Sequence, residues 1–420
     1  MTPIVPPAAS IKSCPSVCVI TAHGRQTLNA GPDERLVDIL GRNGVPWAAV
    51  STYVAPSGGG QPFPFPCLGS KLKEIPGGGQ VLVYFNRNVN PFAFSLNSFK
   101  TIEDSDATDQ VTDFFYQRFD NSASAVELYL KRLTSDECKG IVAARVAETV
   151  RSVVPRGTDL VVGVSGGGDS NALLHALVGI RDHGLTLHPI IITGLPEWDE
   201  GVSRSRQLCM SYGLELTVLE EKDTKGLLGL KQDSEKLIDC FEREFQGDDF
   251  EFLGTLLIRL ALSSRAQQIG TSFICTGLNL EDVVCENLYR LSNGLRPAST
   301  PYRNIGDTTL VFPLWMCPKR VIDGCFPKYS LDNYMMRYPS VALGRNLYYS
   351  VVYSLESQFP GFIEQVARGL SELAQNDPVV YSSDDQLGFH VERPVPLPLR
   401  WKFQKMLGRT VDPAAPKSHT

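Results

Sequence analysis

The chain reads as an α/β protein built on a doubly wound parallel sheet, and three observations carry that expectation. Leu160, Val161, Val162 and Val164 form a nearly continuous β-branched run, as a central strand covered on both faces requires. The next segment, 171–180, places Leu173, Leu174, Leu177 and Ile180 on one helical face. Strand-like runs at 187–193, 215–219 and 272–275 then alternate with helical stretches at 200–212 and 251–269. Such alternation builds a parallel sheet, whose ligands sit at the carboxyl ends of its strands, where Ser165 and Thr276 both fall.

Taken in chain order, residues 1–103 read as a small separate unit. Strands are expected at 17–21, near 27–28, at 48–54 and at 81–85, with a helix over 35–43 that starts after Gly31-Pro-Asp-Glu. This β-β-α-β-β order and the phrase Pro32-Asp-Glu-Arg-Leu-Val-Asp-Ile-Leu40 resemble the β-grasp, ubiquitin-like fold of small sulfur carriers. Free carriers end in Gly-Gly, whereas this unit runs on into the chain, so a docking or lid module is the better expectation. Residues 104–157 read as a helical linker region, with amphipathic helices over 125–133 and 143–152. Residues 158–340 form the main domain and 341–420 a helical C-terminal region and tail. There Val351, Val352, Leu355, Phe359 and Phe362 are an apolar set suited either to core packing or to a homodimer contact.

Ser165-Gly-Gly-Gly-Asp-Ser170 joins the valine strand to its helix. Three glycines remove every Cβ from the junction, so backbone N–H groups can approach a ligand closely and adopt positive φ without strain. Amides at a helix N-terminus bind anions, and Ser165 and Ser170 add hydroxyl donors. Asp169 is out of place beside a bare phosphate unless a cation lies between, as in a magnesium-bridged pyrophosphate. A Walker loop would need a lysine after its second glycine, and none is present. Gly163-Val-Ser-Gly-Gly-Gly168 lacks the glycine at the third position of the dinucleotide fingerprint. The string resembles the Ser-Gly-Gly-x-Asp-Ser loop of the N-type ATP pyrophosphatases, the PP-loop or adenine nucleotide alpha hydrolase superfamily. That resemblance implies ATP and Mg2+ as cofactors, adenylation of a substrate oxygen, and release of pyrophosphate.

Gly277-Leu-Asn-Leu-Glu-Asp282 follows the fourth expected strand and opens another helix. Its two carboxylates suit a magnesium ion or the orienting of a nucleophile, and equally suit the positive end of a helix dipole. The segment resembles the Gly-His-Asn-x-Asp-Asp motif of PP-loop enzymes that thiolate tRNA. On that resemblance Asp169 and Asp282 are the catalytic and magnesium-holding acids, while Ser165, Gly166, Gly167, Gly168, Ser170, Gly277 and Asn279 bind the nucleotide. Fainter matches at Phe312-Pro-Leu-Trp315, Pro318–Asp323, Arg345–Tyr349 and Leu355–Gly361 extend it over about residues 158–375. The departures matter as much. Where that branch has cluster-binding cysteines, this chain reads Phe250-Glu-Phe-Leu-Gly254 and Tyr338-Pro339. Leu278 replaces the motif histidine and Glu281 the first motif aspartate. Without those thiolates, neither cluster ligation nor persulfide transfer by the branch's route is available. Cys240, Cys275 and Cys285 lie near enough in sequence to be substitutes or, more simply, packing residues.

Composition bounds the rest. At 420 residues and 43% hydrophobic, the chain divides into two or three domains. A net charge of −6 argues against a broad nucleic-acid surface. The ten cysteines are scattered without a Cys-x-x-Cys pair, which suits reduced thiols better than disulfides or a metal centre. No leader pattern and no run of membrane-spanning length is evident, so a cytoplasmic protein with no membrane partner is expected. The expectation is therefore an adenylating enzyme that completes an amide-type ligation of a small-molecule acceptor. Arg259, Arg290 and Arg345 are candidates for binding an acidic substrate. The alternatives are sulfur transfer to tRNA or to a carrier, with a sulfur- or amine-donor protein as partner, and a nucleotide-binding protein without catalysis.

Overall fold

The computed structural model describes residues 16–85, 111–118, 127–330 and 361–406, together with 348–349, 351–352 and 355; positions 22–23, 44, 46–49, 60–62, 66–68, 76–78, 231–234, 246–248, 328, 386, 393–394 and 396 are outside the description. The N-terminal unit comprises β1 (Ser16–Thr21), β2 (Gly24–Leu28), α1 (Leu36–Arg42), β3 (Val50–Pro56), β4 (Phe63–Pro64) and β5 (Gly79–Phe85). Its sheet has the order β2-β1-β5-β3-β4, with β1 and β5 parallel at the centre and the other pairs antiparallel. Alternate residues Val17, Val19, Val81 and Val83 bury one face of the sheet against Leu36, Ile39 and Leu40 of α1. The β-β-α-β-β element order is as read from the sequence, with β4 as a short additional edge.

The region 104–157 differs from its expectation. Residues 125–133, expected as a helix, lie largely in a strand, β7 (Glu127–Thr134), paired antiparallel with β6 (Val111–Arg118). Val126, Leu130 and Leu133 have helical spacing, whereas Leu128 and Leu130 alternate as in a strand. The aromatic, β-branched run Val111-Thr-Asp-Phe-Phe-Tyr116 supplies the strand partner that decides it. Thr134 then caps α2 (Ser135–Val153): its hydroxyl accepts the amide of Glu137, whose carboxylate accepts the amide of Thr134. Val142, Val146 and Val150 of α2 pack into the main core, so this helix belongs to the large domain and is no linker.

That domain holds a six-stranded sheet of β8 (Asp159–Gly163), β9 (Thr186–Ile192), β10 (Thr217–Leu219), β11 (Phe273–Cys275), β12 (Tyr302–Ile305) and β13 (Thr308–Val311). Its order is β10-β9-β8-β11-β13-β12, parallel except for β12 at one edge. The helices are α3 (Gly168–Gly179), α4 (Pro196–Ser211), α5 (Glu221–Leu227), α6 (Leu237–Glu244), α7 (Asp249–Ile269), α8 (Leu280–Ser292) and α9 (Lys319–Cys325). Leu160 and Val162 of β8 face α2, α3 and α9, whereas Val161 faces Leu262 and Ala266 of α7. Both faces of the central strand are therefore covered, as its valine run required.

From β8 the chain moves outward through β9 and β10, then crosses back to β11 on the other side of β8. The order reverses between β8 and β11, so the loops that follow these two strands part there and leave a crevice at their carboxyl ends.

The C-terminal region is mixed rather than helical throughout. α10 (Phe362–Asn376) packs on α8 through Ile363 and Ala367, with Val352 buried beside them, and is followed by a hairpin, β14 (Ser382–Asp384) and β15 (Phe389–Val391), and by α11 (Leu397–Met406). Val351 is exposed, while Phe359 falls outside the described residues. The hairpin takes up two of the candidate arginines. Arg259 donates to the carbonyl of His390 at 2.8 Å, and Arg290 makes a two-point pair with Glu392 at 2.7 and 2.9 Å. Both therefore fasten the hairpin to the domain; Arg345 lies outside the described residues. Among the described residues, no helix is long and apolar enough to cross a membrane.

Candidate nucleotide-binding site

The loop after β8 is held in shape from three sides. Gly166 has φ +72, and a Cβ there would stand 2.7 Å from the amide nitrogen of Ser205 and 2.9 Å from the Cβ of Arg204. Only glycine meets both conditions at low cost. Below the turn, the Ser205 hydroxyl donates to the carbonyl of Val164 at 3.2 Å. Above it, the Tyr329 hydroxyl donates to the carbonyl of Gly166 at 2.7 Å, and burial pushes this phenol up to about 12, which keeps it protonated. Within the loop the amide of Ser165 donates to Ser170 Oγ at 3.0 Å, and the two hydroxyls lie 3.2 Å apart. Ser170 is buried and staples the loop, whereas Ser165 is exposed at the crevice. Gly167 is the N-cap of α3 and, among the described residues, no side chain caps the helix, so its first amides face solvent or an anion.

The second segment lies directly against the first. A Cβ on Gly277 would be 3.7 Å from the Cβ of Asp169, which places the 276–282 turn beside the first turn of α3. Asn279 is buried and caps α8: its Oδ1 accepts the amide of Asp282 at 3.0 Å, and Asp282 Oδ2 accepts the amide of Asn279 at 3.2 Å. Asp282 Oδ1 also accepts the Tyr349 hydroxyl. Glu281 is buried, and loss of hydration raises its carboxyl to about 7, although the amide of Lys319 donates to it at 2.9 Å. The hydroxyl of Thr276, at the end of β11, is buried and meets no partner among the described residues.

A third wall comes from α9 and the residues just after it. Lys319 Nζ donates to Asp169 Oδ1 and to Asp323 Oδ1, each at 2.8 Å, and its side chain is 9% exposed. Ser330 Oγ lies 2.9 Å, and Asp323 Oδ1 3.4 Å, from where a Cβ on Gly168 would be. Ser330 is buried, and its hydroxyl finds no partner among the described residues. The sequence gives little sign of Lys319. Its i,i+4 spacing from Asp323 suggests that ion pair, but the 150-residue separation from Asp169 hides the other. Tyr329, Ser330 and Arg204 carry no motif at all, and Tyr349 falls only in the faint match at 345–349.

Asp169 and Asp282 were expected to hold magnesium between them. In the folded chain Asp169 is paired with Lys319, and both oxygens of Asp282 accept protein donors. Among the described residues, no group of three or more His, Cys, Asp or Glu is arranged to hold a metal ion. Among the described residues, the two acids therefore form no preformed ion site of their own. The eight described cysteines, Cys240, Cys275 and Cys285 among them, are all buried. Burial raises the thiols of Cys240 and Cys275, moving them away from the reactive thiolate.

No protein-family model matches the chain, and no curated protein is significantly similar to it. Similar solved structures include the U34-tRNA thiolase NcsA from Methanococcus maripaludis with its [4Fe-4S] cluster, at 17% identity and a TM-score of 0.49, covering 66% of this chain and 90% of that one. Another is the NH3-dependent NAD synthetase from Campylobacter jejuni subsp. jejuni NCTC 11168, at 14% identity and 0.33, covering 57% and 94%. A third is the NMN synthetase from Francisella tularensis, at 16% identity and 0.34, covering 58% and 98%.

Proposed function

We propose that this chain is an ATP-dependent adenylating enzyme of the PP-loop ATP pyrophosphatase superfamily. The observation that carries the reading is the uncapped N-terminus of α3, opened by Gly166, Gly167 and Gly168, at the point where the strand order reverses. The pyrophosphate portion of ATP lies against these amides and the exposed hydroxyl of Ser165. An oxygen of the acceptor attacks the α-phosphorus as the bond to the bridging oxygen breaks, and pyrophosphate leaves with the electron pair. The charge that grows on this leaving group meets preorganised N–H donors, where stabilisation is most effective. A nucleophile, with an amine or ammonia as the favoured class, then displaces AMP from the activated acceptor.

A small-molecule acceptor is preferred over thiolation of tRNA because the described thiols are buried and the branch's cysteine positions 250 and 253 hold Phe250 and Leu253. The test is to incubate the purified chain with ATP and pools of carboxylate acceptors with ammonia, and to follow pyrophosphate and AMP. Equimolar release of both, lost in Gly166→Ala, is the expected result. Release of ADP and phosphate only would overturn the reading.

A further inference from the structure

The loop departs from the Ser-Gly-Gly-x-Asp-Ser pattern in one respect: its variable position is a third glycine, Gly168. The space that a side chain would fill there is taken by Ser330 Oγ and Asp323 Oδ1. This close approach brings α9 onto the loop, and with it Lys319, whose ammonium bridges Asp169 and Asp323 at 2.8 Å each. The backbone of the same lysine is tied to α8 through its amide and Glu281 at 2.9 Å. Lys319 is thus fixed at both ends, its main chain on the second motif and its side chain on the first.

We propose that Lys319 is the built-in counter-cation of the site: it pairs with Asp169 beside the glycine amides and offsets its charge, so that a pyrophosphate group binds there without a divalent ion held by the protein. The inference rests on the ATP reading above and adds to it where the charge comes from. An acid one residue into an anion-binding helix would otherwise repel the ligand. Shared between the two carboxylates, the ammonium lowers the charge of this group from −2 to −1 and weakens the repulsion at Asp169. Without it, Asp169 and Asp323 would be two adjacent acids lacking this cation, an arrangement that draws a divalent ion instead. Lys319 is in this sense a positioning residue, acting through Asp169.

The test uses the full chain, inorganic pyrophosphate in the presence of a chelator, and Mn2+ followed by electron paramagnetic resonance without nucleotide. Wild type should bind metal-free pyrophosphate and leave Mn2+ in solution. Lys319→Met should lose pyrophosphate affinity by at least about tenfold and begin to bind Mn2+. Lys319→Met combined with Asp169→Asn should regain the pyrophosphate affinity, a recovery that a merely structural role for the lysine would not produce. Pyrophosphate binding unchanged in Lys319→Met, or Mn2+ bound as tightly by wild type as by the variant, overturns the inference and leaves the ATP reading standing. If wild type binds neither ATP nor pyrophosphate, with or without metal, the ATP reading falls and this inference with it.

Discussion

Ser330 Oγ lies 2.9 Å from the point where a Cβ on Gly168 would stand, so the first residue of α3 and the chain beyond α9 share one small space. Gly168→Ala forces the Ser330 hydroxyl aside and crowds the loop against Asp323. ATP affinity, measured by calorimetry, should fall by about tenfold, in keeping with the ~1–3 kcal/mol that overpacking costs. Ser330→Ala in the same chain should restore it, because the next Ser330 atom, its Cβ, is 3.7 Å away. Failure of the second change to rescue the first would show that the wall is not what excludes a side chain at 168.

Gly166 is the stricter case. Its φ of +72 strains any L side chain by about 1–2 kcal/mol, and the atom that a Cβ would meet at 2.7 Å is a backbone nitrogen, which cannot rotate away. Gly166→Ala should abolish detectable ATP binding and shift urea unfolding to lower denaturant. An unchanged midpoint would contradict the strain.

Tyr329→Phe removes the donor at 2.7 Å from the Gly166 carbonyl. The expected cost is about 1 kcal/mol of stability, the usual net worth of one such bond, with a few-fold loss of ATP affinity as the turn loosens. Chemical denaturation and titration calorimetry on the same preparation read both.

Glu281 makes stability depend on pH in the opposite sense to a paired carboxylate. Its folded value of about 7 lies above its ordinary 4.5, so between those limits the folded chain holds a proton that the unfolded chain has lost. This group's contribution therefore falls as pH rises from 4.5 to 7 and levels off above. Glu281→Gln keeps an acceptor for the amide of Lys319 and removes the charge. Its melting temperature should exceed that of wild type at pH 8, and the difference should shrink at pH 5. Equal differences at both values would rule out a titrating Glu281.

The valine run of β8, the apolar stripe of α3 and the alternation of later strands and helices were all legible, because burial on both faces of a central strand leaves a local pattern. Residues 125–133 carry two overlapping patterns, helical spacing in Val126, Leu130 and Leu133 and alternation in Leu128 and Leu130, and only the pairing with β6 selects the strand. The same contrast holds at the site. The 165–170 and 277–282 segments stand out because an anion-binding turn needs glycines and a helix start needs a cap, both local demands on residue type. The arginines at 259 and 290 carry no local sign of their partners, which the hairpin β14–β15 and the residue after it supply from about 100 or more residues away.

The sequence by itself determined the layered α/β architecture and the loop on which an anion can rest, since backbone conformation and side-chain burial are written in short-range pattern. Only the tertiary structure decided the charge of that loop. Lys319 reaches Asp169 across 150 residues, and Tyr349 reaches Asp282 across 67. Which cation meets which acid depends on how helices pack, and no local pattern records it.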